Sequence, residues 1–189
     1  MATESFGPSA LVTPANALTM TRVLAMPVLL VLILGEGPSW AAFAVWVIVA
    51  ITDVADGMVA RRQGTTRSGA FLDPLADKVL VLGAMYALVS QDRLWWLPVT
   101  VITLREIVIS VYRSYVGRQG ISVPARPLAK LKTVAQDVAV GLALVPFMND
   151  GHLLAVSSFL WVAVVLTVVT GVQYLWDGRQ VASTASSSG

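Results

Sequence analysis

The chain has 189 residues, 56% of them hydrophobic and 13% charged, with a mean hydropathy of +0.74. That is too apolar for a soluble domain of this length, and the sequence is read as one membrane-embedded unit. The net charge of +2 is small, no nucleic-acid partner is expected, and the absence of cysteine excludes disulfides, thiolate metal sites and a cysteine nucleophile.

In chain order, residues 1–13 read as a disordered tail, polar and rich in small residues. No cleavable signal peptide is evident, because the tail lacks a positive region before an apolar run. Pro14 to Arg22 has the look of a short interfacial helix, with Asn16 as a possible cap. A first span follows from Val23 to Leu34, and Gly35 to Ser39 forms a tight turn. The second span is predicted from Trp40 to Ala60. The third is predicted from Pro74 to Ser90, with Asp73 as its cap and Pro74 at its first position, where a missing N–H costs nothing. Gln91 to Leu94 turns into a fourth span from Trp95 to Val116. After a polar connector, Gly117 to Arg126, the fifth runs from Pro127 to Met148. A turn from Asn149 to His152 leads to a sixth, Leu153 to Trp176, and residues 177–189 read as a disordered tail. The fold class is therefore all-α and polytopic, with six transmembrane helices in a membrane domain over residues 14–176 and no strands.

With six spans, Arg22, the arginines around Arg61, the connector from Arg118 to Lys132 and Arg179 fall on one side, and Arg93 alone falls on the other. The positive side faces the cytoplasm. Both termini lie there, which makes this a multi-pass protein of the plasma (inner) membrane. Trp40, Trp95, Trp96 and Trp176 sit near span ends, as interfacial anchors do.

The chemistry concentrates between Thr52 and Lys78, a stretch holding four of the chain's eleven acidic residues. Asp53 and Asp56 are three apart and Asp73 and Asp77 four apart, so on helices each pair lies on one face. The intervening glycines and arginines suffice to end one helix, turn and begin an antiparallel second. Four carboxylates brought together repel and raise one another's pKa unless a cation sits between them. An acid at the bilayer centre costs on the order of 3 kcal/mol, so a lone aspartate near a span end is as well explained by snorkelling, but four at this spacing are not. Oxygen-only donors favour a hard ion, Mg²⁺ or Mn²⁺, over zinc.

This pattern resembles the signature of the CDP-alcohol phosphotransferases, filled here by Asp53, Asp56, Gly57, Ala60, Arg61, Gly69, Asp73 and Asp77. Seven residues, Arg62 to Ser68, separate Arg61 from Gly69, one fewer than the usual signature. The resemblance implies a CDP-linked lipid as donor, CMP as leaving group and two divalent ions. It makes Asp53, Asp56 and Asp73 metal ligands, and Asp77 the base and a further ligand. Gly57, Ala60, Arg61, Ser68 and Gly69 then line the CDP-lipid site. Small residues at 57 and 60 equally suit tight helix packing. The entry segment also resembles the family's, through Asn16, Leu18, Thr19 and Arg22, which implies that Arg22 faces a phosphate. Members of the family are generally homodimers, and the same is expected here.

Arg105, Arg113, Lys130 and Lys132 approach the cytoplasmic face on the fourth and fifth spans, and such a cluster suits an anionic acceptor. Positive-inside anchoring alone also accounts for the lysines. The segments REIVISVYR and KLKTVAQ, with DPLADK after the signature glycine, resemble the branch of the family that makes phosphatidylglycerophosphate. That likeness implies CDP-diacylglycerol and sn-glycerol 3-phosphate as substrates, in phospholipid biosynthesis. Two alternatives keep the chemistry and change the acceptor, to inositol phosphate or to phosphatidylglycerol as in a cardiolipin synthase. A divalent-cation transporter is the remote alternative, disfavoured because the acids gather at one end beside arginines. His152 is expected to have no catalytic role.

Overall fold

The computed structural model describes the backbone of residues 14–63, 69–118, 127–149 and 153–187, and the side chains of residues 22–52, 78–117, 128, 130–148 and 154–178. Six helices account for nearly all of it: α1 Pro14–Glu36, α2 Trp40–Gln63, α3 Gly69–Ser90, α4 Trp96–Arg118, α5 Pro127–Leu144 and α6 Leu153–Ser187. A single 3-10 turn, Pro146–Asn149, lies between the last two, and no strand occurs among the described residues.

Local chemistry explains most of the boundaries. Gly37 closes α1 with a left-handed φ of 74°, and its N–H returns to the Ile33 carbonyl at 3.0 Å. Ser39 caps α2, accepting from the Ala42 N–H at 3.2 Å. Asp92 takes the left-handed turn after α3, at φ 55°, and the Arg93 N–H bonds the Leu88 carbonyl at 2.9 Å. Pro146 stops α5 at Leu144, four residues before the Met148 expected from composition, because the residue preceding a proline is pushed out of the helical region.

Three other boundaries differ from expectation. The segment from Pro14 to Arg22 is not a separate interfacial helix but the first part of α1, which continues through Pro27. A proline there removes one backbone donor without ending the helix, which packs against α2 and α3. α3 starts at Gly69, so Asp73 and Pro74 lie inside the helix and not at its cap. α6 runs to Ser187 instead of stopping at Trp176. Just past that expected end Gly178 lies directly on the Tyr112 ring, where a Cβ would come within 2.9 Å of Cε1, so α6 is still packed on α4 there.

Packing pairs α1 with α2 and α3, α6 with α4 and α5, and joins the two groups through α3 with α4 and α5 and through α2 with α5. The buried interior holds Leu29 and Ile33 of α1, Met85 and Leu88 of α3, Ile102 of α4 and Leu160 of α6. Ala42, Ala84, Ala139 and Ala163 are fully buried between them and let the backbones approach closely, as association within lipid requires. At the α2–α5 crossing, Trp46 donates from Nε1 to the Asp137 carbonyl at 3.1 Å, and Gly141 lies against its indole.

The outer surface is apolar on all six helices. Val31 is 70% exposed and Leu154 80%, in company with Ile48, Tyr86, Val111 and Val134. A soluble monomer rarely shows apolar surface of this extent. One helix among the described residues is long and apolar enough to cross a bilayer by itself, Leu154–Gly178, with 25 residues and a hydropathy of 2.2. Trp40–Thr52 and Lys78–Ser90 are shorter apolar stretches, so by this measure the six-span expectation is met for α6 alone.

A Cβ at Gly141 would lie 3.5 Å from Trp46 Cδ1, while one at Gly35 meets nothing within 4 Å. Gly141→Leu is therefore expected to overpack the crossing at a cost of about 1–3 kcal/mol. Gly35→Ala should be neutral or slightly stabilising. Thermal unfolding in detergent reads both.

Candidate active site

The acidic signature straddles the α2–α3 junction. Asp53, Asp56, Gly57, Ala60 and Arg61 fall in the C-terminal half of α2, and Gly69, Asp73 and Asp77 in the first turns of α3. Their side chains, and Ser68 altogether, lie outside the described residues. Among the described residues no group of three or more histidine, aspartate or glutamate side chains could hold a metal. The four aspartates are the chain's concentrated oxygen donors, and a carboxylate-only set of this kind suits Mg²⁺ or Mn²⁺.

One residue beyond Asp77 the described side chains begin with Lys78, and there the structure assembles a polar centre from four helices. Its hub is Glu106 of α4, only 6% exposed. Glu106 Oε1 accepts from Arg105 Nη1 at 3.0 Å and from Lys132 Nζ of α5, while Oε2 lies 3.5 Å from Lys78 Nζ of α3. Lys78 also donates to Ser110 Oγ, one turn along α4 from Glu106. Arg105 reaches across to α6, donating from Nε to the Thr167 carbonyl and from Nη2 to Thr170 Oγ1, both at 3.0 Å. Gln136 of α5 donates to Thr167 Oγ1 at 3.2 Å. Gly171 leaves space for the arginine, since a Cβ there would lie 3.1 Å from Arg105 Nε.

These contacts place the first half of α3 and the start of α5 beside the middle of α4 and of α6. Asp73 and Asp77 precede Lys78 on α3 by five residues and by one, so the acidic segment of that helix adjoins the cationic cluster. Buried charges in a bundle need partners, and losing one partner strands the other. Here Arg105, Lys132 and Lys78 surround one carboxylate, which leaves an excess of two positive charges among the described residues of the cluster.

The sequence-predicted cations separate accordingly. Arg105 and Lys132 are brought together through Glu106. Arg22 is buried, 5% exposed, on α1. Arg113 and Lys130 are exposed on α4 and α5, and no hydrogen bond or ion pair joins them to the cluster. His152 lies outside the described residues. Sequence reasoning left Glu106 without a role and did not single out Lys78. The signal for Lys78 was its place immediately after Asp77; no local signal announced that Glu106 would meet Lys132, 26 residues away.

Comparison with known proteins agrees with the sequence motif. Residues 12–169 match the family described as CDP-alcohol phosphatidyltransferase. A relative from Mycobacterium tuberculosis (strain CDC 1551 / Oshkosh), named "Probable phosphatidylglycerophosphate synthase", is 44% identical over 168 residues, which cover 85% of this chain and 79% of the relative. Proteins named "CDP-diacylglycerol--glycerol-3-phosphate 3-phosphatidyltransferase" from Shigella flexneri serotype 5b (strain 8401) and Escherichia coli (strain K12) are 39% identical over 170 residues, covering 86% of this chain and 92% of each relative.

Glu106→Ala should strand Lys132 in the interior and destabilise the protein by about 3–5 kcal/mol. Arg113→Ala, on the exposed face of the same helix, should change stability by no more than about 0.5 kcal/mol. Chemical unfolding of the two variants in the same detergent makes the comparison.

Proposed function

The chain belongs to the CDP-alcohol phosphatidyltransferase family, and we propose that it transfers the phosphatidyl group of CDP-diacylglycerol to sn-glycerol 3-phosphate, giving phosphatidylglycerophosphate and CMP. The observation that carries this reading is the adjacency, along α3, of the segment bearing Asp73 and Asp77 to a cluster of excess positive charge that includes Lys78. The names of the relatives supply the two substrates.

In this reading Asp53, Asp56, Asp73 and Asp77 hold two Mg²⁺ or Mn²⁺ ions, which when bound neutralise the donor's diphosphate and stabilise charge at the reacting phosphorus. Gly57 and Ala60 let the cytidine approach α2. Arg61, with Ser68 and Gly69, contacts the donor phosphates, a task that suits a planar cation. Asp77 accepts the proton of the acceptor hydroxyl as its oxygen attacks the phosphorus carrying the diacylglycerol; the bond to the bridging oxygen breaks and CMP leaves. The step is a single direct displacement in which the acceptor hydroxyl is itself the nucleophile. The acceptor's phosphate faces the cationic cluster to which Arg105 and Lys132 belong, with Arg22, Arg113 and Lys130 adding positive potential.

Six crossings, a cytoplasmic site in the inner membrane and a homodimer complete the reading. Its support is the apolar outer surface of every helix and the one-sided distribution of arginine and lysine. The excess positive charge of the cluster favours a phosphomonoester acceptor, sn-glycerol 3-phosphate or an inositol phosphate, over phosphatidylglycerol, which carries a single diester charge.

Purified protein offered labelled CDP-diacylglycerol with each acceptor is expected to release CMP with sn-glycerol 3-phosphate. Release with phosphatidylglycerol or inositol phosphate alone would replace the proposed acceptor. Asp77→Asn should lower kcat by about 10²–10⁴-fold, the range for loss of a general base. Chelation of divalent ions should abolish turnover, and Mg²⁺ or Mn²⁺ should restore it.

A further inference from the structure

The three cations around Glu106 are not equivalent, and their differences sort them by task. Arg105 has each of its three nitrogens engaged by protein: Nε by the Thr167 carbonyl, Nη1 by Glu106 and Nη2 by Thr170. Its aliphatic stem also lies against Gly171, where a Cβ would come within 3.3 Å of Cγ. Lys132 is bonded to Glu106, and its side chain is 10% exposed. Lys78 differs on both counts. Its side chain is 34% exposed, and its Nζ stands 3.5 Å from Glu106 Oε2, beyond ordinary hydrogen-bond length, with the neutral Ser110 hydroxyl as its hydrogen-bond partner.

One carboxylate therefore satisfies two enclosed cations and leaves the third, the one open to solvent, with charge and a donor to spare. An ammonium carries three donors, so Lys78 can hold Ser110 and still bind an anion. Ser110 is itself fixed, donating to the Glu106 carbonyl at 2.5 Å, which aims the lysine from two sides. Lys78 also follows Asp77 on α3, so an anion bound to it sits next to the segment that carries the proposed base. The excess of two positive charges matches a phosphate monoester, which carries about −1.5 to −2 at neutral pH.

We infer that Glu106 is a positioning residue that commits Arg105 and Lys132 to joining α4, α5 and α6, and that Lys78 is the cation left to bind the acceptor's phosphate monoester. The inference deepens the transferase reading and rests on it for the identity of the acceptor. It also divides the effects of substitution: changes at Arg105 or Lys132 disturb the helix assembly, whereas a change at Lys78 acts on the acceptor.

The test uses the full-length protein in detergent. Binding of sn-glycerol 3-phosphate is measured calorimetrically in the presence of CMP and Mg²⁺, and KM is measured separately for each substrate. Lys78→Ala should weaken sn-glycerol 3-phosphate binding and raise its KM about tenfold or more, as loss of a charged hydrogen bond does. The KM for CDP-diacylglycerol and the unfolding midpoint should stay at wild-type values, and Lys78→Arg should recover most of the affinity. Glu106→Gln should instead lower the unfolding midpoint, with lowered kcat. Undiminished binding by Lys78→Ala, an equal rise in both KM values, or no binding by the wild type would overturn the inference. Binding that depends on Lys78 in a protein that releases no CMP would sustain it while refuting the transferase reading.

Discussion

A single buried carboxylate ties the later part of this protein together. Glu106 meets Lys132 of α5 and Lys78 of α3, and through its neighbour Arg105 it is linked to the α6 backbone at Thr167. In an apolar surround a charge without a partner is costly, so the enclosed groups Glu106, Arg105 and Lys132 are stable only while the others stay in place. Such mutual dependence turns α4, α5 and α6, otherwise held largely by non-directional contacts, into a frame with one register. A shift of α5 by one residue would rotate Lys132 away from Glu106 and expose both.

The rest of the packing follows the rules of a bundle solvated by lipid. Large apolar residues point outward as freely as inward, so hydrophobicity does not decide which face is buried. Size and polarity do. Ala42, Ala84, Ala139 and Ala163 are wholly enclosed, Gly83 lies close to Met26, and Gly141 lies against Trp46. Where polar groups are enclosed they pair across helices, as Trp46 does with the Asp137 carbonyl and Gln136 with Thr167. Small residues allow the approach, and hydrogen bonds fix the orientation.

The site then has two parts with different origins. Its acidic part comes from neighbours in sequence, in the C-terminal part of α2 and the first turns of α3. Its cationic part gathers Lys78, Arg105, Glu106 and Lys132 from three helices, against an α6 surface of Thr167, Thr170 and Gly171. In the proposed reading the acidic part holds metal and diphosphate, while the cationic part offers charge to a second, smaller anion.

Read alone, the sequence determined the helical class, the number of helices, most of their boundaries and the acidic signature, because these depend on contacts a few residues apart. Gly37 and Ser39 mark a turn by their own backbone chemistry, and Asp73 and Asp77 share a face by helical period alone. It failed where the helix packs on partners distant in the chain: α6 passes Trp176 with Gly178 on Tyr112, and α1 stays whole through Pro27 against α2 and α3. The tertiary structure alone decided which cations meet Glu106. Lysines and arginines near a membrane surface look alike in sequence, and only the arrangement of α3, α4, α5 and α6 encloses Arg105 and Lys132 while leaving Lys78 open and Arg113 and Lys130 on the exposed surface.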